Sequence, residues 1–514
     1  MGLAADDCRN LVLMMHININ SIYKKIYAAA FLGCIAVLPM SDTIALRNIL
    51  LGFMLALFLG GMGFSPHIRA STTAALKWVP IPLVLWILYL CLFPLWAPLP
   101  DIAWDNLRGQ WGESIVAWVV AFGAVVVLGK RGPGLWSLGL ASAFPLWVHL
   151  TLSLLAVAGI WSPVFYDHQN LAGLYQEVAR WANGDWILWN FHNPVAERFH
   201  GVEVMHGNAG YASSVAIAIF TAIFLGSRNQ LRNTDSVLSL LAIALCFLSI
   251  VIFRSRGAIL FGGLVVFAGF AWRYWLDHAP SVDHVQYGPG SSLRRVRTAL
   301  VVSLLFAVGV MAYWSVKHDK RWEPMLDKVA AGFMVKDPVG TLCQGLSFSD
   351  EAAIRARLAG RSNGYVMDVL DGLKGQDGGR VILMRAGIEM VFDHPLGLDG
   401  SRQSYSQLIQ DQCHGVPVLE FAHTHNSWID LSLALGWIGA FLFAWMLICF
   451  TRKAVTVKYA PAQNSMRGVL LLLAGFWLVR GFFDSLYREH YLEMQAMLLI
   501  YLYGSIMSDD RIPD

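Results

Sequence analysis

Residues 420–443, EFAHTHNSWIDLSLALGWIGAFLF, place two histidines and an asparagine where a long apolar run begins. Asn426 is a suitable N-cap for a helix that begins at Ser427, because its side-chain oxygen can accept a hydrogen bond from the first turn. His425 would then lie at the positive end of the helix dipole, which disfavours imidazolium and keeps the ring neutral, as a general base requires. His423 and His425 also have H-x-H spacing, but two ligands alone indicate a metal site only weakly. A purely structural cap, with the histidines at a membrane interface, is a further interpretation.

Arginines form the second candidate group. The sequence FRSRG at 253–257 joins two apolar stretches, so Arg254 and Arg256 stand at a short turn. Arginine suits bidentate contact with phosphate oxygens, and the pair therefore predicts an anion site; the alternative is that both side chains extend to lipid headgroups. Arg380 and Arg385 lie in a segment with helical spacing. Five residues correspond to about 500° on a helix, so we expect at most one of these two to reach a shared site.

The composition indicates the solvent around the chain. Of its 514 residues, 56% are hydrophobic and 14% are charged, and the mean hydropathy is +0.52. Soluble domains carry about 25% charged residues, so this composition is typical of a membrane protein. The net charge of +3 gives no electrostatic argument for nucleic acid as a partner. The absence of a Walker-type loop disfavours a pump driven directly by ATP.

Apolar stretches recur along the whole chain at lengths that approach a membrane span. They predict an all-α polytopic membrane protein with about twelve transmembrane helices. The first has a basic flank, Lys24-Lys25, and no cleavage site follows it, so we expect an uncleaved first span. Arg47 and Arg480 are charges inside predicted spans. The predicted stretches are 26–40, 44–64, 78–98, 115–129, 135–161, 210–226, 236–253, 257–276, 298–316, 427–450, 468–482 and 492–508.

Lysines and arginines in the connecting loops predict the orientation. With the N-terminus in the cytoplasm, the basic loops and the C-terminus fall on the cytoplasmic side. These loops are 65–77, 130–134, 227–235, 277–297 and 451–467. The acidic loop at 99–114, the turn at 253–257 and two longer segments, 162–209 and 317–426, then face the periplasm of a bacterium.

The domain organisation follows from the same pattern. Residues 1–426 would contain transmembrane helices 1–9 with the two long periplasmic segments, and residues 427–514 would contain helices 10–12 and a cytoplasmic tail, all within one membrane-embedded domain. A loop of about 110 residues inside a compact protein is usually functional. Within it, apolar residues at helical spacing from Val381 to Phe392 predict a helix that stops at His394-Pro395.

Two cysteines, Cys343 and Cys413, fall in the predicted periplasmic segments. An oxidising compartment favours a disulfide between them. The alternative is two free thiols that never meet.

Three motifs, in this order along the chain, resemble the bacterial O-antigen ligase and polymerase superfamily, whose members are polytopic enzymes that use undecaprenyl-diphosphate-linked glycans. They are RSRGA at 254–258, G-R at 379–380 with P-L-G at 395–397, and H-N at 425–426 with LGWIG at 435–439. His206-Gly207-Asn208 is similar to an asparagine motif of the family that opens an earlier span. The chain departs from the pattern at 398–400, Leu-Asp-Gly, where the family more often has G-x-G.

The resemblance implies a GT-C-like glycosyl transfer without a metal ion or cofactor. His425 would accept the proton of the acceptor hydroxyl, while Arg256 and Arg380, with Arg254, would neutralise the leaving diphosphate. Asn208, Asn426 and His423 would contact substrate.

Several reactions fit this resemblance. Our first expectation is ligation of O-antigen onto a lipid A–core sugar, in lipopolysaccharide biosynthesis in the inner membrane. O-antigen polymerisation and transfer to protein Ser/Thr use the same chemistry. A polyprenol-lipid flippase or transporter, which binds the diphosphate without catalysis, is the non-enzymatic alternative.

Overall fold

The structure is a computed structural model, and it describes most of the chain. The described residues are 21–39, 44–129, 132–157, 207–226, 234–252, 256–278, 309–310, 313, 323–375, 377–456, 464–487 and 491–509. Regular secondary structure within these ranges is entirely helical. The aromatic-rich segment predicted at 162–209 and the stretch at 298–316 lie almost entirely outside the described residues.

The predicted apolar stretches coincide with helices wherever the structure describes them. The α-helices described between residues 21 and 278 are α1 (21–37), α2 (Ile44–Phe64), α3 (Pro66–Leu76), α4 (Ile81–Leu92), α5 (Pro100–Asn106), α6 (Gly112–Leu128), α7 (Leu135–Val157), α8 (Gly207–Gly226), α9 (Thr234–Ile252) and α10 (Arg256–His278), of which α3 and α5 lie outside the predicted stretches.

Fewer helices satisfy a strict criterion for spanning than the sequence predicts. Among the described residues, four helical segments are long and apolar enough to cross a membrane, or five if a pair of helices bent by 99° forms one broken span. The four are Ile44–Phe64, Pro100–Leu128, Gly257–Tyr274 and Ser427–Thr456, and the bent pair is Pro66–Leu76 with Ile81–Leu95. The all-helical class and the apolar helices of a membrane protein are therefore confirmed, whereas the count of about twelve spans is not.

Two predicted loops are helical. Residues 65–77 contain α3, because Ser65 caps the helix by accepting a hydrogen bond from Ile68 N and Pro66 occupies its first position. Residues 99–114 contain α5 and a short π-helix, Leu107–Trp111, that leads into α6. Both sequences carry Pro at a helix start, and this signal outweighs their polar composition.

The apolar helices share one core, with α8 at its centre. The stretch from Val215 to Phe220 is completely buried, and α8 packs against α7, α9, α10 and α18 (Asn464–Arg480). Gly226 lies against Ser465, so the C-terminal end of α8 meets the N-terminal end of α18. The two helices are therefore antiparallel, and the start of α8 lies at the end of the bundle where α18 finishes.

A second apolar core lies in residues 323–426, called the insert below. Its helices are α11 (Met325–Met334), α12 (Pro338–Gln344), α13 (Phe348–Arg357), α14 (Asn363–Asp371), α15 (Asp377–Asp393) and α16 (Ser404–Gln412). The predicted helix over 381–392 is the central part of α15. Leu433 and Ile429, from α17 (Ser427–Thr456), belong to the same core, so the insert and α17 pack as a unit.

Cys343 and Cys413 are joined in a disulfide within the insert. The bond connects α12 to the residue after α16, across a sequence separation of 70, with the two Cα atoms 5.1 Å apart. It therefore links a helix that precedes α15 in the chain to a segment that follows it.

Helix α17 breaks at Gly436, where φ is 75° and ψ is 176°. This backbone conformation requires a glycine, because L side chains collide with the neighbouring peptide there. Gly397, with φ 79°, faces the break so closely that an added Cβ would overlap Gly436 N. We call this packing of residues 395–400 against 433–437 the glycine contact.

The glycine contact satisfies the backbone groups that the break releases. Lipid cannot provide hydrogen bonds, so such groups must find partners within the protein. Tyr89 Oη donates to Leu435 O at 2.5 Å. Backbone bonds between the two segments run from Leu398 N to Leu433 O at 2.9 Å, from Gly400 N to Ala434 O at 2.9 Å, and from Trp437 N to Pro395 O at 3.0 Å.

Candidate functional site

The start of α17 meets the turn that follows α18. Ser427 N donates to Gly481 O at 2.7 Å, and Ser427 Oγ donates to Asp484 O at 2.5 Å. The Leu486 amide in turn donates to Ser427 Oγ. The histidine segment and residues 481–486 are therefore joined by direct hydrogen bonds.

His425 lies in this junction in a left-handed backbone conformation, with φ 56°. Its ring is half-buried and stands 4.3 Å, centroid to centroid, from the ring of His423. A non-glycine residue with positive φ is uncommon, and such residues concentrate at functional sites. The conformation projects the two histidines onto the same side of the segment.

Asn426 is the N-cap of α17, as the sequence predicts. Its Oδ1 accepts hydrogen bonds from Trp428 N at 3.0 Å and Ile429 N at 3.2 Å, and its Nδ2 donates to Phe482 O at 3.2 Å. The side chain is only 6% exposed. Both ends of the amide are engaged within the protein, as an N-cap requires; the expected substrate contact of Asn426 stays a prediction.

Arg480 and Asp484 are candidate site residues that the sequence argument did not assign. Arg480 ends α18 and is 4% exposed, and its guanidinium lies over Phe261 at 5.1 Å and over Phe476 at 5.6 Å. Its Nη2 is 3.2 Å from Asp484 Oδ2. The sequence did contain a signal for Arg480, which is a charge inside the predicted stretch 468–482. Ionisable residues in such stretches are usually functional.

Positive charge dominates the surroundings of Asp484. Burial alone would raise the pKa of this carboxyl, but Arg480 and then Arg380 hold the pKa below its usual range. Arg380, Arg480 and Asp484, together with His425, which the hydrogen bonds of Ser427 bring next to the turn that carries Asp484, are called the charged cluster below. Arg380 itself is exposed at the start of α15.

Arg385 has a different role from Arg380, in agreement with their expected angular separation. Its Nη1 donates to Gly332 O and Phe333 O at 3.2 Å each, and to Val335 O at 2.5 Å. These carbonyls end helix α11. Arg385 is thus occupied within the insert, and Arg380 is the arginine of α15 that belongs to the charged cluster.

The remaining predicted residues are placed through their helices. Arg256 begins α10, and Phe261, about 7.5 Å further along that helix, contacts Arg480 and Phe483. Asn208 is the second residue of α8, at the end of the bundle where α18 finishes. The side chains of Arg256 and Asn208, and all of Arg254, lie outside the described residues.

The segment predicted as the acidic loop 99–114 also reaches this end of the bundle. Gln110 Nε2 donates to Tyr487 O at 3.0 Å, and Arg402 Nε donates to Gln110 Oε1 at 2.9 Å. Trp111 Nε1 donates to Gly400 O at 2.9 Å. The segment 99–114 is therefore in contact with the insert, through Gly400 and Arg402, and with Tyr487, which follows α18. The orientation rule assigns 99–114 and the insert to the same side of the membrane.

A metal-binding cluster is absent from the part of the chain that the structure describes. No group of three or more His, Cys, Asp or Glu side chains is arranged there to hold an ion. His423 and His425 are a pair only.

Residues 241–444 match the family model for O-antigen ligase, Wzy_C. The match supports membership of the chain in the O-antigen ligase/polymerase superfamily. Members of this superfamily are glycosyltransferase-like enzymes. The match covers less than half of the chain, and it includes Arg256, Arg380 and His425 but ends before Arg480 and Asp484. No curated protein matches the sequence significantly.

The superfamily motifs of this chain divide into two groups in the structure. G-R and H-N carry Arg380 and His425 of the charged cluster. P-L-G at 395–397 and the glycine at 436 instead form the glycine contact. The departure at 398–400 is accommodated there, because Gly400 takes the left-handed conformation, with φ 70°.

Proposed function

We propose that this protein is an O-antigen ligase, which transfers a glycan from undecaprenyl diphosphate to a sugar hydroxyl of lipid A–core on the periplasmic face of the inner membrane. The observation that supports it is the charged cluster. The histidine suited to act as a base lies where α17 begins, hydrogen-bonded through Ser427 to the turn after α18, and Arg480 pairs with Asp484 of that turn. Arg380, at the start of α15, acts on the same carboxyl electrostatically, in a chain whose residues 241–444 match this family model.

His425 is the proposed general base. It accepts the proton of the acceptor hydroxyl, and the hydroxyl oxygen forms a bond to the anomeric carbon of the donor sugar. The bond from that carbon to the phosphate oxygen breaks, and undecaprenyl diphosphate leaves with the electron pair. The diphosphate is already a good leaving group, so no general acid is required.

Arg380 and Arg480 are the proposed counter-charges for the leaving diphosphate, together with Arg256. Preorganised charges that stabilise a developing anion usually make the largest contribution to catalysis. Arg480 is preorganised by Asp484 and by two aromatic rings. Arg380 is exposed, so it remains accessible to a ligand.

Transfer by the purified protein in detergent tests the proposal and separates its alternatives. The donor is an undecaprenyl-diphosphate-linked glycan, and lipid A–core, a second donor molecule and a Ser/Thr peptide are offered in parallel as acceptors. Glycosylated lipid A–core supports a ligase, chain growth a polymerase, and glycopeptide a protein O-oligosaccharyltransferase. Absence of a covalent product with every acceptor would contradict an enzyme and favour the flippase.

The same assay tests the expected independence from metal ions. Transfer should be unchanged in EDTA. If EDTA abolished transfer and zinc restored it, His423 and His425 would have to be reassigned as metal ligands.

Fusions to alkaline phosphatase test the proposed orientation. A fusion at Gly375, in the insert, should be active, because this segment is proposed to face the periplasm. A fusion at Ser291, in a predicted cytoplasmic loop, should be inactive. The opposite pattern would place the charged cluster in the cytoplasm, where the proposed transfer cannot occur.

A further inference from the structure

We propose that Asp430 is a positioning residue for His425, and that it acts by fixing the two segments on either side of the junction. Asp430 lies one turn into α17 and is half-buried. This inference rests on the proposed function, because it takes His425 as the base.

One oxygen of Asp430 holds the residue between the two histidines. Asp430 Oδ1 accepts hydrogen bonds from Thr424 N at 2.9 Å and from Thr424 Oγ1 at 2.8 Å. Thr424 is 1% exposed. Two bonds from one buried residue to one carboxylate oxygen restrict both its backbone and its side chain, and hydrogen bonds to a charged group are the stronger kind.

This restriction bears directly on His425, the next residue. A left-handed conformation at a non-glycine residue costs about 1–3 kcal/mol and persists only where the surroundings determine it. The surroundings here are Thr424 on one side, held by Asp430, and Asn426 on the other, held by the helix cap and by Phe482 O. If Thr424 were released, His425 could relax to a more favourable φ and its ring would move.

The second oxygen of Asp430 holds the opposite segment. Asp430 Oδ2 accepts a hydrogen bond from Ser485 Oγ at 2.5 Å, and Ser485 follows Asp484 directly. Thr424 also connects to α15, because its methyl group packs against Gly387 of that helix. A single carboxylate therefore links the segments that carry His425 and Asp484, and Thr424 extends the link to the helix that carries Arg380.

A pair of substitutions at Thr424 separates its hydroxyl from its methyl group. Thr424→Val keeps the shape and the methyl packing but removes the hydroxyl, which donates to Asp430 Oδ1 and accepts from Asn426 N at 3.2 Å. Thr424→Ser keeps the hydroxyl and removes the methyl group. Asp430→Asn tests the negative charge of the carboxylate itself, and Ser485→Ala removes the hydrogen bond to its second oxygen, Oδ2. Ser432→Ala is the matched control, because Ser432 Oγ also donates within α17, to Trp428 O, but does not reach the junction.

The assay is steady-state glycan transfer by the purified full-length variants, with kcat and the KM for the donor measured separately. We expect Thr424→Val and Asp430→Asn to lower kcat about 10- to 100-fold, as small misplacements of catalytic groups do. The KM for the donor should stay within about threefold, since donor binding is assigned to the arginines. Thr424→Ser and Ser432→Ala should retain kcat near that of the wild type.

The double variant Thr424→Val/Asp430→Asn distinguishes positioning from two unrelated losses. Its kcat should be no lower than that of the worse single variant, because both changes act on the hydrogen bonds between Thr424 and Asp430. Multiplicative losses, equal losses in Thr424→Val and Thr424→Ser, or wild-type kcat in Thr424→Val would each overturn the inference. Ser485→Ala, which removes only one hydrogen bond at a half-buried position, keeps the test available if Thr424→Val does not fold.

His425→Ala separates failure of this inference from failure of the proposed function. If His425→Ala is inactive while Thr424→Val and Asp430→Asn behave as the wild type, only the positioning role is wrong. If His425→Ala is fully active, the base assignment is wrong, and Asp430 then has no catalytic residue to position.

Discussion

The charged cluster and the glycine contact both contain superfamily motifs, but they differ in what the motif residues touch. In the charged cluster, ionisable side chains meet at the start of α17, and Arg380 remains exposed. In the glycine contact, further along the same helix, two backbones meet so closely that neither Gly397 nor Gly436 can carry a Cβ. The charged cluster brings ionisable side chains together, whereas the glycine contact leaves room only for backbone atoms.

This difference shows how the second region serves the first. The glycine contact holds residues 395–400, at the C-terminal end of α15, against the middle of α17. Arg380 lies near the N-terminal end of α15, and His425 lies at the start of α17. The relative position of these two side chains is therefore determined by backbone packing some distance away, and substitutions in the two regions should have different consequences.

The largest effect is expected from His425→Ala. Loss of a general base typically lowers the rate about 10²- to 10⁴-fold. The abundance and thermal stability of the protein should stay near those of the wild type, because the ring is half-buried at a junction and not in a packed core. The measurement is kcat for transfer, together with the amount of folded protein.

His414→Ala is the matched control for that substitution. His414 is also a histidine with positive φ, at 52°, but it lies exposed on the insert. The kcat of His414→Ala should equal that of the wild type. Equal losses in the two variants would mean that transfer does not depend on a base at position 425.

Gly436→Ala should destabilise the protein by about 3 kcal/mol or more, since it combines backbone strain with a steric overlap. The added Cβ would lie 2.5 Å from Leu396 C. In contrast to His425→Ala, the loss should appear as reduced folded protein, measured by size-exclusion fluorescence after heating.

Gly475→Ala provides the comparison within α18. An added Cβ there meets no atom within 4 Å, and alanine favours a helix over glycine. Its stability should be equal or slightly higher. A Gly436→Ala protein as stable as the wild type would show that the glycine contact is not required for the fold.

Replacing both Cys343 and Cys413 by serine should lower the stability of the insert by about 2–4 kcal/mol, the usual contribution of a disulfide that closes a loop of this length. The protein that remains folded should keep its kcat, because neither cysteine belongs to the charged cluster. Unfolding in denaturant and transfer by the folded fraction measure the two quantities. Complete alkylation of both thiols in the wild type under non-reducing conditions would show that the bond does not form.

The smallest expected effect is the difference between arginine and lysine in the charged cluster. Arg380→Lys and Arg480→Lys should each lower kcat about tenfold, because a point charge cannot reproduce bidentate contact with phosphate. Arg385→Lys, on the same helix as Arg380, should keep kcat, since Arg385 contacts only carbonyls of the insert in the described structure. Equal kcat values for Arg380→Lys and the wild type would remove Arg380 from the diphosphate site.

Several elements were predictable from the sequence because their signals are local. The cap at Asn426, the helix from Val381 to Phe392 and its end at Pro395 follow from residues within one or two turns. The angular argument that separated Arg380 from Arg385 also needed only helix geometry. In contrast, α3 was missed because the charge of 65–77 was weighed above its Ser-Pro capping signal.

The sequence by itself determined an all-helical membrane protein, the cap of α17 and most of the candidate chemistry, since composition, helical periodicity and motif order require no knowledge of long-range contacts. Only the tertiary structure decided that Arg480 and Asp484 join His425, because they come from a turn more than fifty residues away along the chain. It also decided that the glycine motifs pair with each other, and that Asp430 connects Thr424 to Ser485. Such partners are selected by the packing of antiparallel helices and by the need to satisfy backbone groups in a medium without water.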